Sequence, residues 1–392
     1  MKIVFFTSEY SHEKLPAAGG LGSFLKVIAA ELHQKGHEVY IVGFGKRDKE
    51  LDDNGVSVRF RRSYLKRYPL AEMARSLAAS LKIRPLEKRI MAADRKYMAQ
   101  EVARFCEQNN ADIVEAPAFN GLSAYWRSSV PMIVRFHGSR GFWHKYLGKK
   151  PEPLKTWFED KALKEADGVI AVSNFAAKAI GEIYGISRDI KVIYNGIDAL
   201  LFSPRDKSAI IPGSVFYVGT LSDAKGVDVL CRAFNAIVKT NPKASLHLIG
   251  RGEDYFINKV KTILDPAAFD NTTYYGGKQL EEIPALLAKA EVCVYPSLNE
   301  TFGLVYAEAM AMEKPVIATQ NRVSAEIIQH GITGYIAKDG NDIAVIAAGL
   351  LNHGLTEDTG RAARNSVLSQ FTKEAMAEAT IAYYLSVLKR EK

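Results

Sequence analysis

The chain has 392 residues, 47% hydrophobic and 24% charged. These are values of a folded globular protein of about two domains, which excludes disordered, collagen-like and low-complexity classes. Its formal net charge is +8, concentrated early: residues 1–200 carry 32 Lys and Arg against 23 Asp and Glu, and residues 201–392 carry 20 against 21. Within residues 51–150 the basic excess is 19 against 9, which implies an anionic partner for the first half: a membrane surface, an acidic substrate or nucleic acid. The three cysteines, Cys106, Cys231 and Cys293, lie far apart without a CxxC pair, which argues against a disulfide framework and for a reducing cytoplasm. No apolar run reaches the ~18 residues of a membrane span.

In chain order, the opening Met1–Phe6 is too short for a signal-peptide core and reads as a first buried strand, Ile3–Thr7. A helix follows from Gly22 to about Lys35, then a strand at Glu38–Val42. Between them, Gly19-Gly20-Leu21-Gly22 lacks the third glycine of a GxGxxG dinucleotide fingerprint, although a glycine loop over phosphate remains compatible. The stretch Arg59–Tyr68 interleaves basic and aromatic residues and runs into a basic helical region, Arg75–Lys96. Cations beside interfacial aromatics suit an anionic membrane face; a solvated basic surface is the plainer alternative. Further strands are expected at Ile113–Glu115, Ile133–Phe136, Gly168–Val172 and Lys191–Tyr194. His137-Gly138 falls at a strand's carboxyl end, where a histidine can share a proton or bond a substrate hydroxyl, or simply be structural. Ser173-Asn174 and Asn195-Gly196 sit at similar ends and also read as a helix cap and a turn.

A stretch without clear period, residues 197–214, closes the first alternation. Strands then recur at Val215–Val218, Leu246–Ile249, Thr273–Tyr275, Val292–Tyr295 and Val316–Ala318. Continuous apolar strands alternating with helices predict parallel sheets covered on both faces, with ligands beyond the strands' carboxyl ends. Gly219–Gly226 follows one strand and offers a strand-end glycine and Lys225 for a diphosphate; a solvated lysine is the alternative. Gly250-Arg251-Gly252 follows the next and can be a tight turn. The strongest feature is residues 292–319, VCVYPSLNETFGLVYAEAMAMEKPVIAT, which reads as strand, polar loop, helix, turn and strand. Thr301–Leu304 opens the helix, Gly303 permits close backbone approach, and the free N–H groups suit a phosphate. Glu308 then reaches a ribose diol and Glu300 faces whatever the phosphates carry. One solvated and one capping glutamate is the alternative.

The chain contains no HExxH, no Cys/His cluster, no GxxxxGK[ST], no GxSxG and no Asp-x-Asp. These absences argue against a zinc site, a P-loop nucleotidase, a serine hydrolase and a simple carboxylate pair for a metal-held diphosphate.

Taken in order, the Gly19-Gly20 loop, GHEV at 36–39, His137-Gly138, Ser173, Asn195–Asp198, Lys225-Gly226 and Glu300-x7-Glu308 with PVIAT behind it resemble the retaining glycosyltransferases of family 4. The resemblance covers nearly the whole chain and rests most on the E-x7-E block. It implies the GT-B fold: two Rossmann-like α/β domains with parallel sheets facing a central cleft. The expected division is an acceptor-binding domain at 1–200, a nucleotide-sugar-binding domain at 201–370 and a terminal helix at 371–392 crossing back to the first. By the same resemblance, Lys225 neutralises the donor diphosphate and Glu308 holds the ribose. Glu300 and the backbone of Phe302, Gly303 and Leu304 hold sugar and phosphate, His137 lies near the anomeric centre, and Gly20 closes over the phosphate. Gly219 completes the donor loop. Many members carry an arginine where this chain has Thr220, so Arg251 enters as a further diphosphate contact.

The implied activity is transfer of a sugar from a nucleoside-diphosphate donor, UDP ahead of GDP, to a hydroxyl of a saccharide or lipid-linked acceptor, without cofactor or metal. Cell-surface glycan synthesis at the cytoplasmic membrane face is the implied setting, with no nucleic-acid partner. Two alternatives share the fold. Glycogen and starch synthases carry a lysine where this chain has Ala17, and sugar-nucleotide 2-epimerases need no acceptor surface.

Overall fold

The computed structural model describes residues 1–16, 18–353 and 357–390. They form two compact units: Met1–Tyr194 together with the C-terminal helix, and Asn195–Thr372. The division falls after Tyr194 rather than at residue 200. The Ile197 N–H donates to the Phe371 carbonyl and Ile197 bridges Thr372, which ties the outgoing strand into the second unit at once.

The first unit is built on an eight-stranded sheet. Its strands are β1 (Lys2–Thr7), β2 (Glu38–Gly45), β3 (Lys49–Asp53), β4 (Val56–Arg62), β5 (Ile113–Pro117), β6 (Met132–Phe136), β7 (Gly168–Ala171) and β8 (Lys191–Val192). The order is β3-β4-β2-β1-β5-β6-β7-β8, parallel throughout except that β3 runs antiparallel to β4. β1, β5, β6 and β7 are almost wholly buried and mostly apolar, and the two charges buried among them, Glu115 in β5 and Arg135 in β6, pair with each other.

The basic stretch differs from the sequence reading in two details. Residues 59–62, read as the start of a basic-aromatic surface, belong to β4, where Val58 and Phe60 point inward. Arg59 and Arg61 pair with Glu50 across the hairpin, and Arg62 pairs with Asp48, so those charges are largely compensated. The basic helical region is two helices, Pro69–Ser80 and Arg84–Asn109. They break at Leu81–Ile83, where Lys82 turns to φ +56° ahead of Pro85 in the next first turn.

The C-terminal helix, Lys373–Arg390, docks on the first unit's sheet. Met376, Ala377, Tyr384 and Val387 enter the core beside Ile3, Ile133 and Ile170. Below them lies a buried ion pair. Arg135 donates to both Glu115 oxygens at 2.8 and 2.9 Å and to Thr380 Oγ1 at 3.0 Å, and the Tyr384 hydroxyl donates to Glu115 at 2.6 Å. Two helix hydroxyls thus share hydrogen bonds with a charge pair that burial would otherwise disfavour.

The second unit is a six-stranded, fully parallel sheet of β9 (Ser214–Val218), β10 (Ser245–Ile249), β11 (Thr272–Tyr274), β12 (Val292–Tyr295), β13 (Val316–Thr319) and β14 (Tyr335–Ala337). Its order is β11-β10-β9-β12-β13-β14. The reversal of direction at β9/β12 puts their carboxyl ends at a topological switch point, where open α/β sheets bind ligands.

Candidate functional site

At the β9/β12 switch point two loops meet. After β9 the chain makes a short turn, Asp223–Lys225, and then Gly226 at φ +66°. A Cβ on Gly226 would lie 2.0 Å from the Pro296 carbonyl oxygen, so only glycine lets this turn press against the loop that leaves β12. The Leu298 N–H donates to the Ala224 carbonyl across the same contact. The result is that Lys225 Nζ donates to Glu300 Oε1 at 2.6 Å. The Glu300 side chain is only 12% exposed and that of Lys225 36%. Two residues 75 positions apart, one read as a diphosphate contact and the other as a sugar contact, are therefore neighbours.

The β12 loop is pinned from below. Asn321 Nδ2 and Thr319 Oγ1 both donate to the Ser297 carbonyl, and Asn321 Nδ2 also donates to the Tyr306 hydroxyl. The loop ends at Gly303, whose φ of +86° starts the helix Leu304–Ala311. Phe302 is 2% exposed, with its ring against Phe371, so its side chain is committed to the core and only its backbone is offered to a ligand. The first turn presents N–H groups without intrahelical acceptors, which suits an anion.

Glu308 lies just past the middle of that helix. It is half-buried, and among the described residues it makes no hydrogen bond or ion pair. Burial alone pushes its carboxyl up to about 7 from the ordinary 4.5. A carboxylate held without donors is arranged to accept hydroxyls from outside. The buried Tyr295 hydroxyl feels this same charge.

The remaining donor-side residues lie on neighbouring strand ends. Gly219 follows β9 with its N–H on the Ile249 carbonyl, and the Leu221 N–H donates to the Arg251 carbonyl, so the β9 and β10 loops run side by side. Tyr217 supports them from beneath, its hydroxyl donating to the Thr220 carbonyl. The Arg251 side chain is exposed and makes no ion pair among the described residues.

In the first unit, His137 follows β6 and its ring lies 4.2 Å from that of Phe24, on the helix Gly20–Gln34. Burial, helped by the neighbouring Arg135 charge, holds this imidazole well below its usual range, so it is neutral at physiological pH. Gly20 opens the helix and has open space where a Cβ would go. The glycine loop is instead held by a residue that motif reading passed over. Glu9 accepts the Gly19 N–H at 3.0 Å and the Gly22 N–H at 3.2 Å, a carboxylate already at the helix start. Ala17 lies outside the described residues. Ser173 caps the helix Asn174–Tyr184 through the Ala176 N–H, and Asp198 accepts from the Leu200 and Leu201 N–H groups. Asn321, Tyr306 and Glu9 carried no spacing signal, because their role is to shape loops distant in sequence. Among the described residues no group of three or more His, Cys, Asp or Glu stands together as a metal site.

Residues 18–199 match the family described as Glycosyltransferase Family 4, and residues 212–353 match Glycosyl transferases group 1. The chain belongs to the family 4 glycosyltransferases and has the GT-B fold. It is 25% identical to N-acetyl-alpha-D-glucosaminyl L-malate synthase of Bacillus anthracis over 96% of both chains. It is 29% identical to a glycogen synthase of Mycobacterium tuberculosis over 67% of this chain and 65% of that protein. Among solved structures it resembles sucrose-phosphate synthase from Thermosynechococcus elongatus, with a TM-score of 0.77 at 19% identity over all of both chains. It also resembles Anabaena HepE in complex with UDP, with a TM-score of 0.71 at 19% identity over 98% of this chain and 100% of that one.

Proposed function

We propose that this glycosyltransferase moves a sugar from a UDP-linked donor to an acceptor hydroxyl with retention of anomeric configuration and without a metal ion. The Lys225–Glu300 pair at the mouth of the Leu304–Ala311 helix carries the reading. Glu300 compensates the lysine, and an incoming diphosphate competes for that charge and releases Glu300 to the sugar. Glu308 takes the ribose hydroxyls. Lys225, the helix start at Gly303 and Leu304, and exposed Arg251 supply positive potential where charge develops on the leaving diphosphate, the role a divalent cation serves elsewhere. Neutral His137 orients a sugar or acceptor hydroxyl by a hydrogen bond, and Gly20 gives the donor phosphate room to approach. UDP is preferred because solved structures of the same fold are described with UDP and UDP-glucose.

The acceptor is a saccharide carried on an anionic lipid at the cytoplasmic membrane face, supported by the basic excess of residues 51–150. A second reading, elongation of a soluble glucan, draws on the glycogen synthase similarity.

The test is a panel of UDP- and GDP-sugars incubated with purified protein, with and without a lipid extract, followed by detection of nucleoside diphosphate. Release of UDP stimulated by the lipid fraction and unchanged by chelator supports the proposal. Activity abolished by chelator and restored by magnesium or manganese refutes the metal-free mechanism, and stimulation by glucan alone favours the second reading.

A further inference from the structure

The helix Pro69–Ser80 has its apolar residues on the wrong side for a water-facing helix. Leu70, Met73 and Leu77, continued by Leu81 at its end, recur at intervals of three and four and so form one stripe. That stripe is turned outward: Leu70 is 81% exposed, Met73 66%, Leu77 60% and Leu81 61%. The face turned toward the Arg84–Asn109 helix is built from small and polar residues instead, with Ala78 its one buried side chain and Ala71 and Arg75 half-buried. The apolar surface continues past the helix through exposed Ile83 and Leu86, with half-exposed Tyr68 at the other end.

The rim of this surface is cationic. Residues 66–90 hold seven Lys and Arg against two Asp and Glu. Lys66 and Arg67 precede the stripe and Lys82, Arg84 and Arg89 follow it, all exposed. Lys88 lies 3.6 Å from the ring centre of Trp157, itself 36% exposed, so an indole stands beside the same rim.

We propose that the Pro69–Ser80 helix is a membrane anchor that lies in the plane of an anionic bilayer, with Leu70, Met73, Leu77 and Leu81 among the acyl chains and the flanking cations on the lipid phosphates. An in-plane helix needs this combination of an exposed apolar stripe, a cationic rim and interfacial aromatics. A second copy of the chain fits the surface poorly, because a two-fold contact would set one excess of positive charge against another. The anchor deepens the lipid-linked-acceptor reading and rests on it only for its biological purpose, since its test reads lipid binding and not transfer.

The experiment is vesicle sedimentation of the full chain, with phosphatidylglycerol-containing or pure phosphatidylcholine vesicles, at low and high salt. The wild type sediments with the anionic vesicles at low salt and is released as salt rises. The L70S/M73S/L77S variant lowers the partition coefficient at least about tenfold, and K82E/R84E/R89E lowers it in anionic vesicles only. Both variants change exposed residues, and unchanged circular dichroism and UDP affinity show that fold and donor site survive. An environment-sensitive dye on M73C, the three native cysteines being buried, shifts to the blue on anionic vesicles. The anchor is overturned if the wild type stays in the supernatant, if the dye is unmoved while the protein sediments, or if the lipid-free wild type is a dimer that L70S/M73S/L77S makes monomeric. Vesicle binding together with transfer only to soluble acceptors refutes the acceptor reading and leaves the anchor standing.

Discussion

If Glu308 holds the donor ribose as proposed, it couples the stability of the second unit to donor binding. In the folded protein its carboxyl titrates at about 7, against an ordinary 4.5, because burial disfavours the charged form. A folded-state value above the unfolded one means that the folded state holds the proton more tightly. The associated stability is complete below about pH 4.5, declines as pH rises, and is gone above about 7. That separation corresponds to about 3 kcal/mol, since each pH unit is worth about 1.4 kcal/mol. Glu308→Gln keeps the shape and removes the titration. The variant should match the wild type near pH 4.5 and exceed it by about 3 kcal/mol at pH 8, on the order of 10 °C in the melting temperature of a unit of this size. Scanning calorimetry from pH 4.5 to 8 reads the difference. On the proposed ribose role, the same substitution should weaken UDP binding most above pH 7, where the wild-type carboxylate is charged. The variant itself controls for titration of the ligand phosphate. A melting difference that stays constant across this pH range would refute the burial argument. A UDP affinity that is unchanged in Glu308→Gln would refute the ribose role.

Four other substitutions test contacts in the two units. Lys225→Ala leaves the Glu300 carboxylate without its cation and should lower both stability and UDP affinity by about 1–3 kcal/mol. Lys225→Ala/Glu300→Ala should recover part of the stability but none of the affinity, as read by calorimetry and isothermal titration. Gly226→Ala forces a Cβ into the Pro296 carbonyl and should cost at least about 1–3 kcal/mol along with UDP affinity. Gly20→Ala, which meets nothing within 4 Å, should leave the melting temperature unchanged, so any lost turnover reports on donor approach. Glu115→Gln breaks the buried pair beneath the C-terminal helix and should cost about 3–5 kcal/mol, with faster hydrogen exchange concentrated in Lys373–Arg390.

The parallel sheets were legible because the central strands are buried on both faces and therefore written as mostly apolar runs between helices, broken only by paired or bonded groups such as Glu115 and Arg135. The hairpin Lys49–Arg62 was not, because its strands lie at the sheet edge and alternate lysine, aspartate and arginine with the apolar positions. Local composition there reads as a charged surface, whereas cross-strand pairs with Glu50 and Asp48 make it a closed structural unit. The donor site divides the same way. Glu300, Gly303 and Glu308 share one loop and helix, so their spacing carries information. Lys225 joins them only through the clearance at Gly226, a fact about two loops 70 residues apart that no window of sequence contains. The outward stripe of the Pro69–Ser80 helix is the reverse case. Its spacing is visible in the sequence, but a leucine every three or four residues ordinarily marks the face that packs inward. Only the burial of Ala78 against the next helix shows that the leucines point away from the protein, which turns a pattern usually read as core into a surface that needs a hydrophobic partner.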